Sequence, residues 1–147
     1  MSTTGLEVFD TTLQKTHLWL KDIMQELHTD SRQQAYSVLR ATLHTLRDRM
    51  TVEGAVKLGA QLPMLIRGMY YEGWTMAGKP VKERHTEEFL AHMREHFRND
   101  VDLDAARAVR AVFKVLGQRV SEGEIKDVGQ LLPKELRAFW SEAVGLT

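Results

Sequence analysis

Two histidines four residues apart stand in the run His92-Met93-Arg94-Glu95-His96, and on a helix they would share one face with a glutamate between them. That is the inverted zincin spacing, in which two imidazoles grip zinc and a carboxylate serves as base. The only further ligand at compatible spacing is Glu88, one turn upstream. A second concentration of chemistry surrounds residues 73–84, where Arg67, Tyr70, Tyr71, Trp74, Lys79, Lys82, Arg84 and His85 flank Gly73, Gly78 and Pro80. Rings and cations together could hold an anionic or planar ligand, provided they face one space. Nucleophilic catalysis has little to draw on: Ser31, Ser37, Ser121 and Ser141 read as caps or surface positions, and no Gly-x-Ser-x-Gly elbow, phosphate loop or dinucleotide fingerprint occurs. No motif calls for a cofactor.

These groups must be positioned by helices, and the helices come in two sets. An offset of seventy residues pairs Leu20 with Leu90, Asp30 with Asp100, Ala35 with Ala105, Arg40 with Arg110, Leu46 with Leu116 and Arg49 with Arg119. The register continues through Gly59 and Gly129, Leu62-Pro63 and Leu132-Pro133, Arg67 and Arg137, and Tyr70 and Trp140. A register kept over such a length, without a gap, reads as an internal duplication. Each copy predicts four helices. In the first, Phe9, Leu13, Thr16, Leu20, Ile23 and Leu27 mark one face of a long helix ending near His28. Asp30 and Ser31 offer caps for a second, with Ala35, Val38, Leu39, Thr42, Leu43, Leu46 and Met50 facing inward. Thr51 caps a short third helix, and Ser121-Glu122-Gly123-Glu124 spells a capping box at the matching place. Pro63 and Pro133 suit the first turn of a fourth.

The expectation is therefore an all-α, eight-helix bundle made of two tandem four-helix repeats, at residues 6–74 and 85–146, joined by a linker at 73–84, and packed as a single domain over 1–147. The repeat also offers a plainer reading of the candidate chemistry. His92 and His96 take the places of Asp22 and Glu26 beside an apolar stripe, Tyr70 has a bulky counterpart in Trp140, and Trp74 faces only Val144. Arg49 and Arg119 fall at helix ends, where a cation offsets the dipole. Gly59 and Gly129 permit close packing.

Composition narrows the classes. Lysine plus arginine equals aspartate plus glutamate at 20 each, and the balance holds on either side of residue 73, so neither half carries the cationic footprint of a nucleic-acid or membrane-surface binder. No nucleic-acid partner and no membrane are expected. With no cysteine there are no disulfides and no thiolate metal ligands, which fits a reducing cytoplasm. The amino terminus lacks a cationic segment leading into an apolar run, and no apolar run reaches transmembrane length.

The stretch Gly59-Ala-Gln-Leu-Pro63-Met-Leu-Ile-Arg67-Gly-Met-Tyr70-Tyr71-Glu-Gly73-Trp74, with Pro80-Val-Lys82-Glu-Arg84 and Glu88-Phe89-Leu90 after it, resembles the bacterial and archaeal family called domain of unknown function 2267. Ala108-Val-Arg110-Ala-Val-Phe113, Gly123-Glu124, Leu132-Pro133 and Leu136-Arg137 resemble that family's closing segment. The resemblance implies a helical fold and a cytoplasmic bacterial protein, and it transfers no catalytic residue. The leading functional expectation is a non-enzymatic helical interaction or scaffold protein, binding another protein or itself. The alternative is a small-ligand or anion-binding protein using Arg67, Tyr70, Tyr71, Trp74, Lys82, Arg84 and His85 at the junction; a metal-dependent hydrolase using His92 and His96 comes third.

Overall fold

A computed structural model describes residues 2–100 and 102–146. The described residues form eight α-helices and no strand: α1 (Glu7–Leu27), α2 (Arg32–Arg47), α3 (Val52–Gly59), α4 (Met64–Tyr71), α5 (Thr86–His96), α6 (Ala105–Arg119), α7 (Glu122–Leu131) and α8 (Lys134–Val144). Their ends are set by local chemistry. Ser31, Thr51 and Ser121 accept from the amides of Gln34 (3.0 Å), Gly54 (3.1 Å) and Glu124 (3.3 Å), and Asp104 accepts from Ala106 (2.9 Å), each taking up a donor that the first helical turn leaves unpaired. His28 closes α1 in the left-handed region at φ 54, which lets the Thr29 amide reach back to the Met24 carbonyl at 3.0 Å.

Helices α2 and α6 lie side by side at the centre. α1 packs on α2 and α6, and α5 likewise; α4 leans on α1 and α2, and α8 on α5 and α6; α3 and α7 meet each other. Exchanging the first four helices for the last four leaves these neighbours nearly the same. One cluster of buried side chains runs through both halves, with Ile23, Leu39, Leu43 and Leu46 from the first and Phe89, Val112, Phe113 and Leu116 from the second. Phe113 anchors it, edge-on to Trp140 at 4.7 Å and to Phe89 at 6.0 Å.

The short helices are clamped by long polar side chains rather than by their own length. Tyr70 is fully buried and donates to the Ala55 carbonyl at 2.7 Å; seventy residues on, Trp140 is fully buried and donates to the Ile125 carbonyl at 3.0 Å. Arg67 donates to the Gly59 and Leu62 carbonyls at 2.9 Å each, and Arg137 to those of Gly129 (2.9 Å) and Leu132 (3.1 Å). A Cβ at Gly59 would meet the Tyr71 hydroxyl and one at Gly129 would lie 3.1 Å from Cδ1 of Trp140, so at each place a ring sits close over a glycine.

The halves part company at the ends of α4 and α8. Arg47, 4% exposed, donates to the Tyr70 carbonyl at 2.7 Å and the Glu72 carbonyl at 3.1 Å, and pairs with Asp48 at 3.0 Å, so it terminates α4. Its position seventy residues on is Gly117, where a Cβ would stand 3.0 Å from the Val144 carbonyl, and α8 continues to Val144 in the space so left.

Two expectations are corrected. Phe9 is half exposed although it continues the apolar stripe of α1, because it lines an open groove toward α2 and α4 and is not covered by them. The capping box at Ser121 is only half made. Glu124 turns inward and is 4% exposed, while the Ser121 amide bonds Oε1 of Gln61 at 3.4 Å instead.

Removing the α4 clamp tests this account. Arg47→Met keeps the volume but strands two helix-end carbonyls, and should lower stability by roughly 1.5–3 kcal/mol. Urea unfolding should show this as a lower midpoint with an unchanged slope.

Candidate functional site

An apolar groove opens between α1, α2 and α4, with a volume of about 570 Å³. Its floor is Leu20, Leu39 and Ile66 from the core, and its walls are Phe9 and Thr16 of α1, Tyr36 of α2, and Met64, Leu65, Gly68 and Met69 of α4. The floor is buried, whereas Phe9 is 50% exposed, Leu65 46%, Met64 42% and Tyr36 39%. A second groove of about 650 Å³ continues around α1, lined by Leu6, Val8, Thr11, Lys15, Pro63 and Met64, so Met64 stands between the two.

Helix α4 is the movable wall in principle, and three polar contacts fix it. Pro63 precedes the helix without a capping side chain, so the Leu65 amide is taken by Oγ1 of buried Thr12 at 2.9 Å. The Met69 carbonyl lies 2.7 Å from Nε2 of His44. Burial pushes the His44 pKa below its ordinary value, which favours the neutral ring, and that ring carries its proton on Nε2 and donates it. At the far rim Glu72 pairs with Arg40 at 2.8 Å, and the same guanidinium holds its carboxyl below the usual range. Gly68 has nothing within 4 Å of where a Cβ would stand, so the wall is open there and needs no glycine for packing.

The fold does not require these apolar residues to be apolar. The place seventy beyond Phe9 falls before α5 begins, whereas seventy residues beyond Tyr36, Met64 and Leu65 stand Ala106, Lys134 and Glu135. There Glu135 is spent on structure, accepting from the Thr86 amide at 3.0 Å and lying 3.2 Å from Nδ1 of His85. The first turn of α8 carries charge where that of α4 presents apolar side chains.

The model of the family described as "Uncharacterized conserved protein (DUF2267)" matches residues 16–139. The chain belongs to that family. No curated protein matches it. The family description names no activity or ligand, so function has to be read from the member's own geometry.

The residues singled out in the sequence are dispersed by the fold. Arg67 and Tyr70 are spent on the clamps already described. Tyr71 stacks on half-buried Trp74 at 5.6 Å, while Lys82, Arg84 and His85 are exposed, and none of these lines either apolar groove. The Trp74 Nε1 is buried and lacks a hydrogen-bond partner. His92 and His96 are exposed on α5, and His92 Nε2 lies 3.1 Å from Oε1 of Glu83, whose other oxygen accepts from Arg49 at 2.7 Å. No group of three metal-ligating side chains occurs among the described residues.

Sequence reasoning passed over the groove because Phe9, Tyr36, Met64 and Leu65 look like ordinary core residues. The signal available was the mismatch of the last three with the positions seventy residues on.

One buried titratable group lies away from the groove, where α3 meets α7. Burial raises the Glu124 pKa above its ordinary 4.5, Lys57 at 3.7 Å opposes this, and Asp127, itself paired with Lys57, adds to it. Its Oε1 accepts no hydrogen bond. A carboxyl whose pKa is raised by folding contributes stability below its unfolded pKa and loses it as pH rises through the folded value. Glu124→Gln removes that loss. Relative to the wild type, the variant should gain stability progressively as pH is raised above about 4.5 and then level off, as measured by urea midpoints over a pH series.

Proposed function

We propose that this chain is a non-enzymatic interaction protein that seats an apolar helix face of another polypeptide in the groove between α1, α2 and α4. It is built, on this reading, from two copies of one four-helix unit, of which only the first keeps a docking face. The observation that carries the proposal is the exposure of Phe9, Tyr36, Met64 and Leu65 together around one groove, the last three at positions where the second copy has alanine, lysine and glutamate. Isolated exposed apolar residues are ordinary, but a contiguous patch is the mark of a contact surface. Of the ten large apolar side chains exposed among the described residues, these four line this groove and two more, Leu6 and Val8, line the second beside it. A helix lying in a groove uses anchors at three- and four-residue spacing, and the exposed walls offer it apolar contact on both sides.

The ligand-binding alternative at the repeat junction has less support, since Lys82 and Arg84 are exposed while Arg67 and Tyr70 serve the fold. The hydrolase has less still, because His92 engages a carboxylate already held by Arg49. No helix among the described residues is long and apolar enough to cross a membrane. A cytoplasmic bacterial setting belongs to the same proposal, on the lack of cysteine and the family resemblance.

Installing the second copy's residue in the first tests the reading. Leu65→Glu should leave stability within about 0.5 kcal/mol, as expected of an exposed position. A photoreactive side chain at Met64 should crosslink to a polypeptide in the cells of origin, and Leu65→Glu should cut that yield by about tenfold, the equivalent of 1.4 kcal/mol. No crosslinked polypeptide, or a yield indifferent to Leu65→Glu, would end the proposal. A small molecule retained in the groove through purification would replace it with a ligand-binding reading.

A further inference from the structure

Glycine is, short of proline, the residue least suited to a helix interior, because it gives up the most backbone freedom there. Gly68 nevertheless stands inside α4, a helix of only eight residues. The fold supplies no reason for it. Gly68 is exposed, its φ is not positive, and no atom lies within 4 Å of where a Cβ would stand. Seventy residues on, the corresponding exposed place in α8 is taken by Ala138. What sets Gly68 apart is its position in the groove. Leu65, Gly68, Met69 and Glu72 all line it, and on one helix residues spaced i, i+3, i+4 and i+7 enclose the hole into which a facing helix sets a side chain as a knob. With no side chain at residue 68, one edge of that hole is bare backbone.

We infer that Gly68 determines the specificity of the docking groove, and that the occupant is a helix which sets a bulky apolar side chain, leucine or an aromatic ring, over the Gly68 backbone. The inference rests on the interaction reading above and names what the partner carries. The knob lies between Leu65 and Met69, with Phe9 of α1 and Tyr36 of α2 supplying the remaining walls. Glu72 closes the hole and is the only charged side chain lining this groove. Arg40 donates to its Oε1 twice, at 3.2 and 2.8 Å, and no donor among the described residues reaches its Oε2. One turn from the knob, toward Glu72, the occupant's face therefore changes from apolar to donor-bearing, with a lysine, arginine or amide side chain complementary to that oxygen.

Substitution at residue 68 should move stability and docking in opposite directions, which a glycine needed only by the fold would not do. Gly68→Ala should raise the thermal midpoint of the full chain by roughly 2–4 °C, and Gly68→Leu should raise it as well. A photoreactive side chain at Tyr36 should crosslink to a polypeptide in the cells of origin, with a yield lowered about threefold by Gly68→Ala and about thirtyfold by Gly68→Leu. The crosslinked segment, made as a synthetic peptide, should bind the purified wild-type chain. Truncating its knob to alanine should weaken that binding about tenfold, yet change binding to the Gly68→Leu chain by no more than about twofold, because there the hole is already filled. The inference is overturned by a lower midpoint for Gly68→Ala, by a yield indifferent to Gly68→Leu, or by a peptide with no bulky apolar residue whose truncation weakens binding. A crosslink that Leu65→Glu lowers and Gly68→Leu does not removes this inference and leaves the interaction reading standing. No crosslink from either residue 36 or residue 64 removes both.

Discussion

Helix α4 has only eight residues, and a helix of that length has too few internal hydrogen bonds to offset the cost of starting it. It exists because other elements take up its ends. Thr12 receives the Leu65 amide, His44 and Arg47 donate to the carbonyls of Met69, Tyr70 and Glu72, and Tyr70 itself reaches across to α3. Most of these bonds end on a backbone group of α4 or of the residue after it, so the helix is held as a rigid body while its outward side chains stay uncommitted. That is the condition for a preformed groove. If α4 were held instead by burying Met64 and Leu65, there would be no open wall, and Thr12 would have no reason to be a buried hydroxyl on an otherwise apolar stripe.

The architecture was legible because it is written in periodicity and in residues with few alternative uses. Ser31, Thr51 and Ser121 stand where helices must begin, and Tyr70 and Trp140 are both large rings with one donor, which buried positions beside a free carbonyl require. Phe9 was not legible in the same way. Its spacing from Leu13, Thr16 and Leu20 places it on the inner face, but facing inward gives burial only where another element reaches that far, and the extent of α4 and α2 cannot be read from the stripe of α1. Glu124 failed for the opposite reason. Ser-x-x-Glu specifies a box in isolation, yet in this chain Gln61 takes the amide that the glutamate would have taken.

The junction residues illustrate a third limit. Arg67, Tyr70, Tyr71 and Trp74 are close in sequence and fall three and four apart, a spacing that one helix would gather on one face, but α4 ends at Tyr71 and its neighbours take up these side chains one by one. Arg67 accordingly reaches the end of α3 and Tyr70 the core, leaving Tyr71 and Trp74 to stack on each other. Density of functional residue types along the chain thus says little about convergence. The comparison of one half with the other says more, because it asks which residues differ where the scaffold has no need for a difference.

That comparison also bears on how many molecules can assemble. If the α5–α8 half carried the same apolar face as α1–α4, the chain would present two docking sites. A partner able to fill both would link chains, and association would propagate instead of closing. Lys134 and Glu135 stand seventy residues beyond Met64 and Leu65. α8 forms with this charge in its first turn, and on the proposed reading a charged wall takes no apolar helix face. One face per chain then limits the contact to one partner. On that reading, the difference that makes the halves unequal in sequence is what keeps an interaction surface from becoming a polymerisation surface.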